Sequence, residues 1–511
     1  MKVIPEIFLK IGLAAMFCLV LTAAGAFPVA AEVFKVDTTA DEVDTDTGDG
    51  QCLTASGNCS LRAAIQQSNA LPGPDEVILK KEAYLLTRGG TGENSSFTGD
   101  LDIAEDLTIT GQGRGKTFID AAELDRVLHV LDAAVEITGV TIQNGLETAV
   151  GGGILNDGGS LKLAGCYIRG NLLYGSGAVF GGGITNRSNG VLKLKNCQVS
   201  DNSAISTADM AYGGGIYSTG DLVKIQSSTI SRNSSRGSTF SFGGGLYDSS
   251  DTLTIEGSAV DDNSVLALNN IGNGGGLFTG DGLISISDST ISRNSVYGKI
   301  NTYGGGINNN GDITIIESSV SHNSLSGGTT GHGGGIYTAG SFPTVIKKST
   351  ITGNTSKMAG GNIGGGLLSN AATLEIVGSS ITDNAAVGSL ADSYGGGLFV
   401  DGDTAAVKNT TISKNVVSGD SGAYGGGIYN VNDSLTISGS TIANNKASGY
   451  SNGYGGGIWN GSGFTLTVKK ATRVVNNFSS DGGGGFFNSG GTVNLAGDTV
   501  MKGNIPNNKN W

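Results

Sequence analysis

Positive charge, histidine, helical periodicity and long apolar runs are all in short supply in this chain, and each shortage removes a class of function. Lys and Arg total 31 against 44 Asp and Glu, for a net charge of −13 over 511 residues. An acidic chain is a poor partner for nucleic acid and for anionic membrane surfaces, both of which select basic patches. The three histidines, His129, His322 and His332, offer neither a metal cluster nor a recognisable triad. No catalytic, cofactor-binding or metal-ligating residue is therefore assigned. Aromatic residues make up only 6%. The apolar fraction of 38% is nonetheless too high for a disordered chain, so something must bury it.

A single long apolar run exists, from Ile11 to Ala24, flanked by Lys2 and Lys10 and ending in small residues. It is shorter than the roughly 20 residues of a spanning helix and has the form of an export signal, with cleavage expected after Ala31 in "PVAAE". No transmembrane segment is expected after that cleavage. Cys18 lies in the run without a lipobox, so no lipoprotein is expected. Removal of residues 1–31 takes away Lys2, Lys10 and Glu6, which moves the net charge from −13 to −14. The product is extracellular or displayed at the cell surface. Such a compartment permits disulfides. Cys52 and Cys59 bracket a short loop, "QCLTASGNC", that can close on itself, and Cys166 and Cys197 form a second possible pair considered below.

Glycine is what the chain has in abundance, at 88 residues. Triplets begin at Gly151, Gly181, Gly213, Gly243, Gly274, Gly304, Gly333, Gly364, Gly395, Gly425, Gly455 and Gly483, 28 to 32 residues apart. That period is the signature of a solenoid. Within each unit the apolar residues alternate, as in "LTI" at 253–255 and "LEI" at 374–376, so the units are made of short strands. The last aliphatic of that pair is followed five positions later by another, Ile225 by Ile230 and Ile376 by Ile381. An odd separation puts two residues on opposite faces of a straight strand, so both face inward only if the chain bends between them.

Each unit is thus read as three inward-facing strands joined by corners, stacked on equivalents above and below at ~4.8 Å. This is an all-β fold, a right-handed single-stranded parallel β-helix. The glycines suit a corner at which positive φ or close backbone approach excludes a Cβ. Asn171, Asn202, Asn233 and their equivalents through Asn445 stand three residues after the last aliphatic, and are read as left-handed residues whose amides form a ladder. Two residues before that aliphatic runs an inward column of small residues, from Cys166 and Cys197 through Ser228 and Ser258 to Ser440. Cα atoms one rung apart lie within the disulfide range, so Cys166 and Cys197 are read as either bridged or simply stacked.

"GDGQCLTASGNCSLRAAIQQSNALPGPDEVIL" at 48–79 is the one stretch with a helical reading, capped by Ser60 and stopped by Pro72-Gly73-Pro74. A helix across the first coil covers open strand edges and apolar interior. These residues resemble the CSLREA-type motif at the head of exported bacterial β-helix proteins, with Ala63 in place of the motif's Glu. The phrases "GGGI(Y)" and "STISxN" resemble the repeats of polymorphic outer membrane proteins, adhesin-like chains of the pectin-lyase-type fold. The chain is expected to divide into a signal peptide over 1–31, a cap with the CSLREA-like motif and first coil over 32–100, a β-helix over 101–505 with regular coils from about 151, and a tail over 506–511.

The residue after the corner aliphatic is Tyr217, Tyr247, Phe278, Tyr337, Phe399, Tyr429, Trp459 or Phe487 in eight of twelve units. Period two turns it outward, giving a stripe that a polysaccharide or a surface protein can use, unless nearby loops fold over it. Those loops, such as "SSRGSTFSF" and "SVYGKINTY", vary between units and are expected to collect on one face. "DEVDTDTGDG" at 41–50 has calcium-like acidic spacing but lacks the bidentate Glu, and is read as a solvated loop. Asp201, Asp262 and Asp383 share a mixed column with Arg232, Arg293, His322 and Lys414, read as a solvated face. The expectation is an adhesion or binding protein, or a structural surface component. The alternative is a polysaccharide lyase or hydrolase on the same fold, although no catalytic constellation is recognisable.

Overall fold

The computed structural model describes residues 31–469 and 471–510; the signal expected over 1–31 lies, except for Ala31, outside the described residues. The chain winds into a right-handed parallel β-helix with one helix near its N-terminal end. Every ladder of named strands is parallel, and the register carries from coil to coil, as in Ile216↔Leu246 and Leu246↔Leu277, with a shift between Gly340 and Pro343. One apolar core runs the whole length, from Phe34 to Phe486.

A single coil shows how the sequence produces this. Ile216–Ser218 and Leu222–Gln226 belong to the largest sheet, of 29 strands among the described residues. Ser227 then turns the chain with φ 47°, and Thr229–Ser231 enters a 15-stranded sheet. The bend is what lets Ile225 and Ile230, five positions apart, both reach zero exposure. A second left-handed residue, Arg232 with φ 53°, ends that strand. The left-handed position is thus the residue before the asparagine, not the asparagine itself. It is filled by Asp201, Asp262, Arg293 and Lys414 elsewhere, and two neighbouring pairs form along the column, Arg232 with Asp201 at 2.8 Å and Arg293 with Asp262 at 2.9 Å.

The asparagine acts through its side chain. In Asn202 the backbone N–H and Nδ2 both donate to Oδ1 of Asn233, at 3.1 and 3.0 Å, and Nδ2 also reaches the Ile168 carbonyl at 3.1 Å. This bonding repeats coil by coil from Asn171 to Asn477 and ends on Asn504, past the last asparagine of the sequence column. The serine column forms a second ladder, the Ser228 N–H donating to Ser258 Oγ and the Ser258 N–H to Ser289 Oγ, both at 3.1 Å. A third polar column lies inside the coil at Asn156, Asn186, Ser218, Asp248, Thr279 and Asn309, joined by bonds such as Asn156 Nδ2 to Asn186 Oδ1 at 2.6 Å.

The variable loops are the main departure from expectation. After each asparagine the chain forms a strand, Ser234–Gly237 in this coil, reverses, and returns through Ser241–Phe242 to the next triplet. Stacked coil on coil, these segments make two further parallel sheets of 12 and 10 strands among the described residues. Together they form a two-layered fin with its own small cores, such as Val265, Val296, Leu325 and Met358. Elsewhere the fin interior is serine: Ser235 and Ser241 are fully buried and bond each other at 2.8 Å.

The glycines make the neck of that fin. Gly213 has φ 62°, a Cβ on Gly214 would collide with the Ser234 backbone, and a Cβ on Gly215 would lie 2.6 Å from the Gly245 carbonyl and 2.9 Å from Asn233. Triplet and asparagine, 19 to 22 residues apart in sequence, are therefore in contact across the neck in every coil that carries a triplet.

At the head, the helix Leu61–Ala70 starts on Ser60, whose hydroxyl accepts from the Ala63 N–H at 3.0 Å. Its residues from Leu61 to Ser68 are buried on all sides, not on one face. Segment 41–50 is the reason. Asp41 pairs with the fully buried Arg62 at 2.6 Å, Asp44 accepts from the backbone N–H groups of Asp46 and Leu53, and Asp49 accepts from Gln67. The acidic segment is thus a lid tied to the helix, and Asp44 is buried instead of solvated. Cys52 and Cys59 are disulfide-bonded beneath it.

Cys166 and Cys197 are not bridged; both are buried free thiols. Each occupies the serine position and directs its sulfur at a carbonyl of the preceding coil, Cys166 to Ile137 at 3.2 Å and Cys197 to Leu163 at 3.2 Å. Two side chains in the same orientation one rung apart stay about one rung apart at their sulfurs, too far for a bond of about 2 Å.

Candidate functional site

The outward aromatic stripe lies in the re-entrant corner between fin and body. On the body side stand Tyr217, Tyr247, Phe278, Tyr337, Phe399, Tyr429, Trp459 and Phe487, each half-buried between inward neighbours such as Ile216 and Ser218. On the fin side, immediately before each triplet, runs a second column that sequence reasoning missed: Phe180, Tyr212, Phe242, Tyr303, His332, Tyr394, Tyr424 and Tyr454. Its signal was present as an aromatic residue preceding "GGG" in coil after coil.

Within each column the rings stack face to face. Tyr217 and Tyr247 centroids are 5.1 Å apart, Tyr247 and Phe278 5.0 Å, and Tyr429 and Trp459 4.2 Å with planes 3° apart. Between columns they meet edge to face, as do Tyr212 and Tyr247 at 5.1 Å and 82°. Where a run is unbroken, ring faces are thus covered by neighbouring rings, and on the fin side the Tyr394 hydroxyl bonds Asp392 at 3.2 Å. Burial lifts the phenols, Tyr394 to about 12, and holds His332 down to about 4, so it stays neutral. The cleft is interrupted where Asn308 bonds Asn273 at 3.0 Å, and again at Ile363 and Leu368.

Traced toward the N-terminus, the body column continues without a change of register. Tyr217 pairs with Thr185, Thr185 with Leu155, Leu155 with His129, and His129 with Asp102. Here the cleft gives way to a cavity of about 220 Å³ whose lining includes Glu93, Asp100, Asp125, Arg126, His129 and Glu147. His129 Nδ1 lies 3.2 Å from Oδ1 of the fully buried Asp102, whose other oxygen accepts from the Ser96 N–H at 2.9 Å. Asp100 pairs with Arg126 at 2.8 Å. Burial nevertheless pushes the Asp100 carboxyl up to about 7, opposed by Arg126 and reinforced by Asp102 and Asp125. Burial raises Asp125 as well. Arg126 is held in place, its Nε donating to the Gly151 carbonyl and Nη2 to that of Val150.

Sequence reasoning gave His129 no partners. Asp100 and Asp102 lie one coil away, in the irregular first coils where no repeated phrase marks the register. His322 and His332 remain apart from this cluster, in the left-handed corner and the fin column. Among the described residues no helix is long and apolar enough to cross a membrane.

No protein-family model matches this chain, and no curated protein matches it. Among solved structures, the A-module of mannuronan C-5 epimerase AlgE6 from Azotobacter vinelandii is similar over 87% of this chain and 93% of that one, at 12% identity and a TM-score of 0.23. A likeness that slight carries no argument about the site.

Proposed function

We propose that the protein is an exported binding scaffold that holds an extended polysaccharide along the aromatic cleft, at the cell surface or outside it. The supporting observation is the paired ring columns, in which aromatic rings recur at successive rungs of ~4.8 Å in separate runs, such as Tyr217 to Phe278 and Phe399 to Phe487. A site periodic along one axis suits a polymer whose units repeat, more than a globular surface protein. Export rests on the apolar run within 1–31, and the acidic charge is consistent with a neutral glycan. A second reading, a carbohydrate-active enzyme, is favoured by the head cavity. An acid raised to about 7 and a histidine oriented by Asp102 are groups that acid–base chemistry uses.

The test is retention on a glycan array by the chain and by Tyr429→Ala and Trp459→Ala, with the same glycans monitored for new reducing or unsaturated ends. Retention falling at least tenfold in both variants supports the cleft. Unchanged retention in variants of lower thermal stability refutes it and leaves the rings as packing. New chain ends move the assignment to the enzyme.

A further inference from the structure

The head cavity carries a feature that acid–base chemistry alone leaves unexplained. His129 is nine-tenths buried and lines the cavity, yet its Nε2 has no hydrogen-bond partner. A buried ring nitrogen without a partner is destabilising unless something occupies it. The charges beside it do not balance either. Asp100, Asp102 and Asp125 are all buried; Arg126 pairs with Asp100 and spends its other nitrogens on carbonyls, and Arg187, which also lines the cavity, is paired with Asp157. Buried carboxylates in excess of cations are costly unless protons or a cation neutralise them.

We propose that Asp100, Asp102 and His129 form a binding site for a divalent first-row transition cation. Each offers a ligand atom, and those atoms all lie within 4.8 Å of one another. One imidazole and two carboxylates suit zinc or manganese, whereas calcium prefers an all-oxygen set. Three protein ligands leave positions for water, for which the adjoining cavity of about 220 Å³ has room. Asp102 and His129 face each other from strands paired in one sheet, Leu101–Ile103 and Leu128–Leu131, and Asp100 immediately precedes the first of them, so the rungs fix two of the three ligands and the start of a strand the third. The site stands whether or not a glycan occupies the cleft.

Titration calorimetry of the chelator-stripped chain with zinc sulfate and with manganese chloride, beside His129→Gln and Asp102→Asn, tests this. One ion per chain is expected, with affinity at least tenfold lower in each variant while circular dichroism is unchanged. Zinc-edge X-ray absorption on the unmodified chain gives an independent reading should a variant fail to fold: the expected shell is oxygen with one imidazole and no sulfur. Equal affinity in folded variants, no stoichiometric binding of either ion, or a sulfur-containing shell overturns the assignment.

Discussion

Asp248 places a carboxyl in the interior polar column, 2% exposed, with the hydroxyl of Ser250 at 2.7 Å and its backbone N–H as partners. Burial pushes it from the ordinary 3.8 to about 7. The folded chain therefore keeps this proton to a higher pH than the unfolded chain, and unfolding releases it between those values. Stability from this residue is full below about 4 and is lost as pH rises through 7. A shift of about three units sets a ceiling of about 4 kcal/mol on the loss. The same column holds asparagine at Asn156, Asn186, Asn309, Asn430 and Asn460, so Asp248→Asn fits the space and the ladder. The variant is expected to match the parent at pH 4 and exceed it at pH 8 by up to about 4 kcal/mol. Denaturant midpoints followed by circular dichroism from pH 4 to 8 measure this. Asp100 contributes a fall of the same sign and His332, lowered to about 4, a rise toward 6.5, but both are common to the two chains and cancel in the difference. Parallel profiles across the whole range would refute the reasoning.

Two further outcomes follow from the ladders and the neck. Asn323→Ala removes four hydrogen bonds, two that Asn323 donates to Ile291 and Asn354 and two that it accepts from Asn294, at about 1 kcal/mol each. A loss near 4 kcal/mol is expected by denaturation, with faster hydrogen exchange at the Asn294 amide. Gly244→Ala drives a Cβ against the backbone of Gly275 and to 2.6 Å from the Ser264 carbonyl, where nothing can rotate away. It should cost about 3 kcal/mol or more, and proteolysis should open the fin at that coil first.

Legibility in the sequence followed the size of the signal each element needs. The body was readable because its columns are aliphatic and recur: Ile225 and Ile230 specify a bend, and the bend is found at Ser227. The asparagine ladder and the inward placing of the serine column were readable for the same reason, although the asparagine was chosen for its amide and not for its backbone angle, and the bonds along the serines were not foreseen. The fin was not readable. Two thin layers separated by Ser235, Ser241 or alanine need no large apolar residues, so "SSRGSTFSF" carries no alternation to detect. The partnership of glycine triplet and asparagine was equally hidden, since it is a contact across the neck between residues that only the fin brings together. Cys166 and Cys197 were placed one rung apart correctly, but backbone spacing alone does not say that both sulfurs point along the axis in the same direction.

The ladders also decide where chemistry can reside. In the regular coils the recurring buried amides and hydroxyls are bonded largely to the coil above or below, as in the runs Asn171 to Asn504 and Ser228 to Ser440. A group bonded in that way is unavailable to a ligand, and replacing it for function would break two rungs at once. Outward positions are free of this constraint, which is why variation and aromatic residues collect in the corner and on the fin. The first coils precede the repeat and are released from it differently. There the lid, the helix and Arg62 hold irregular strands in place, so Asp100, Asp102 and His129 can face one another without serving a ladder. The part of the chain with the least repetition is thus the part in which buried carboxylates and an imidazole can be brought together.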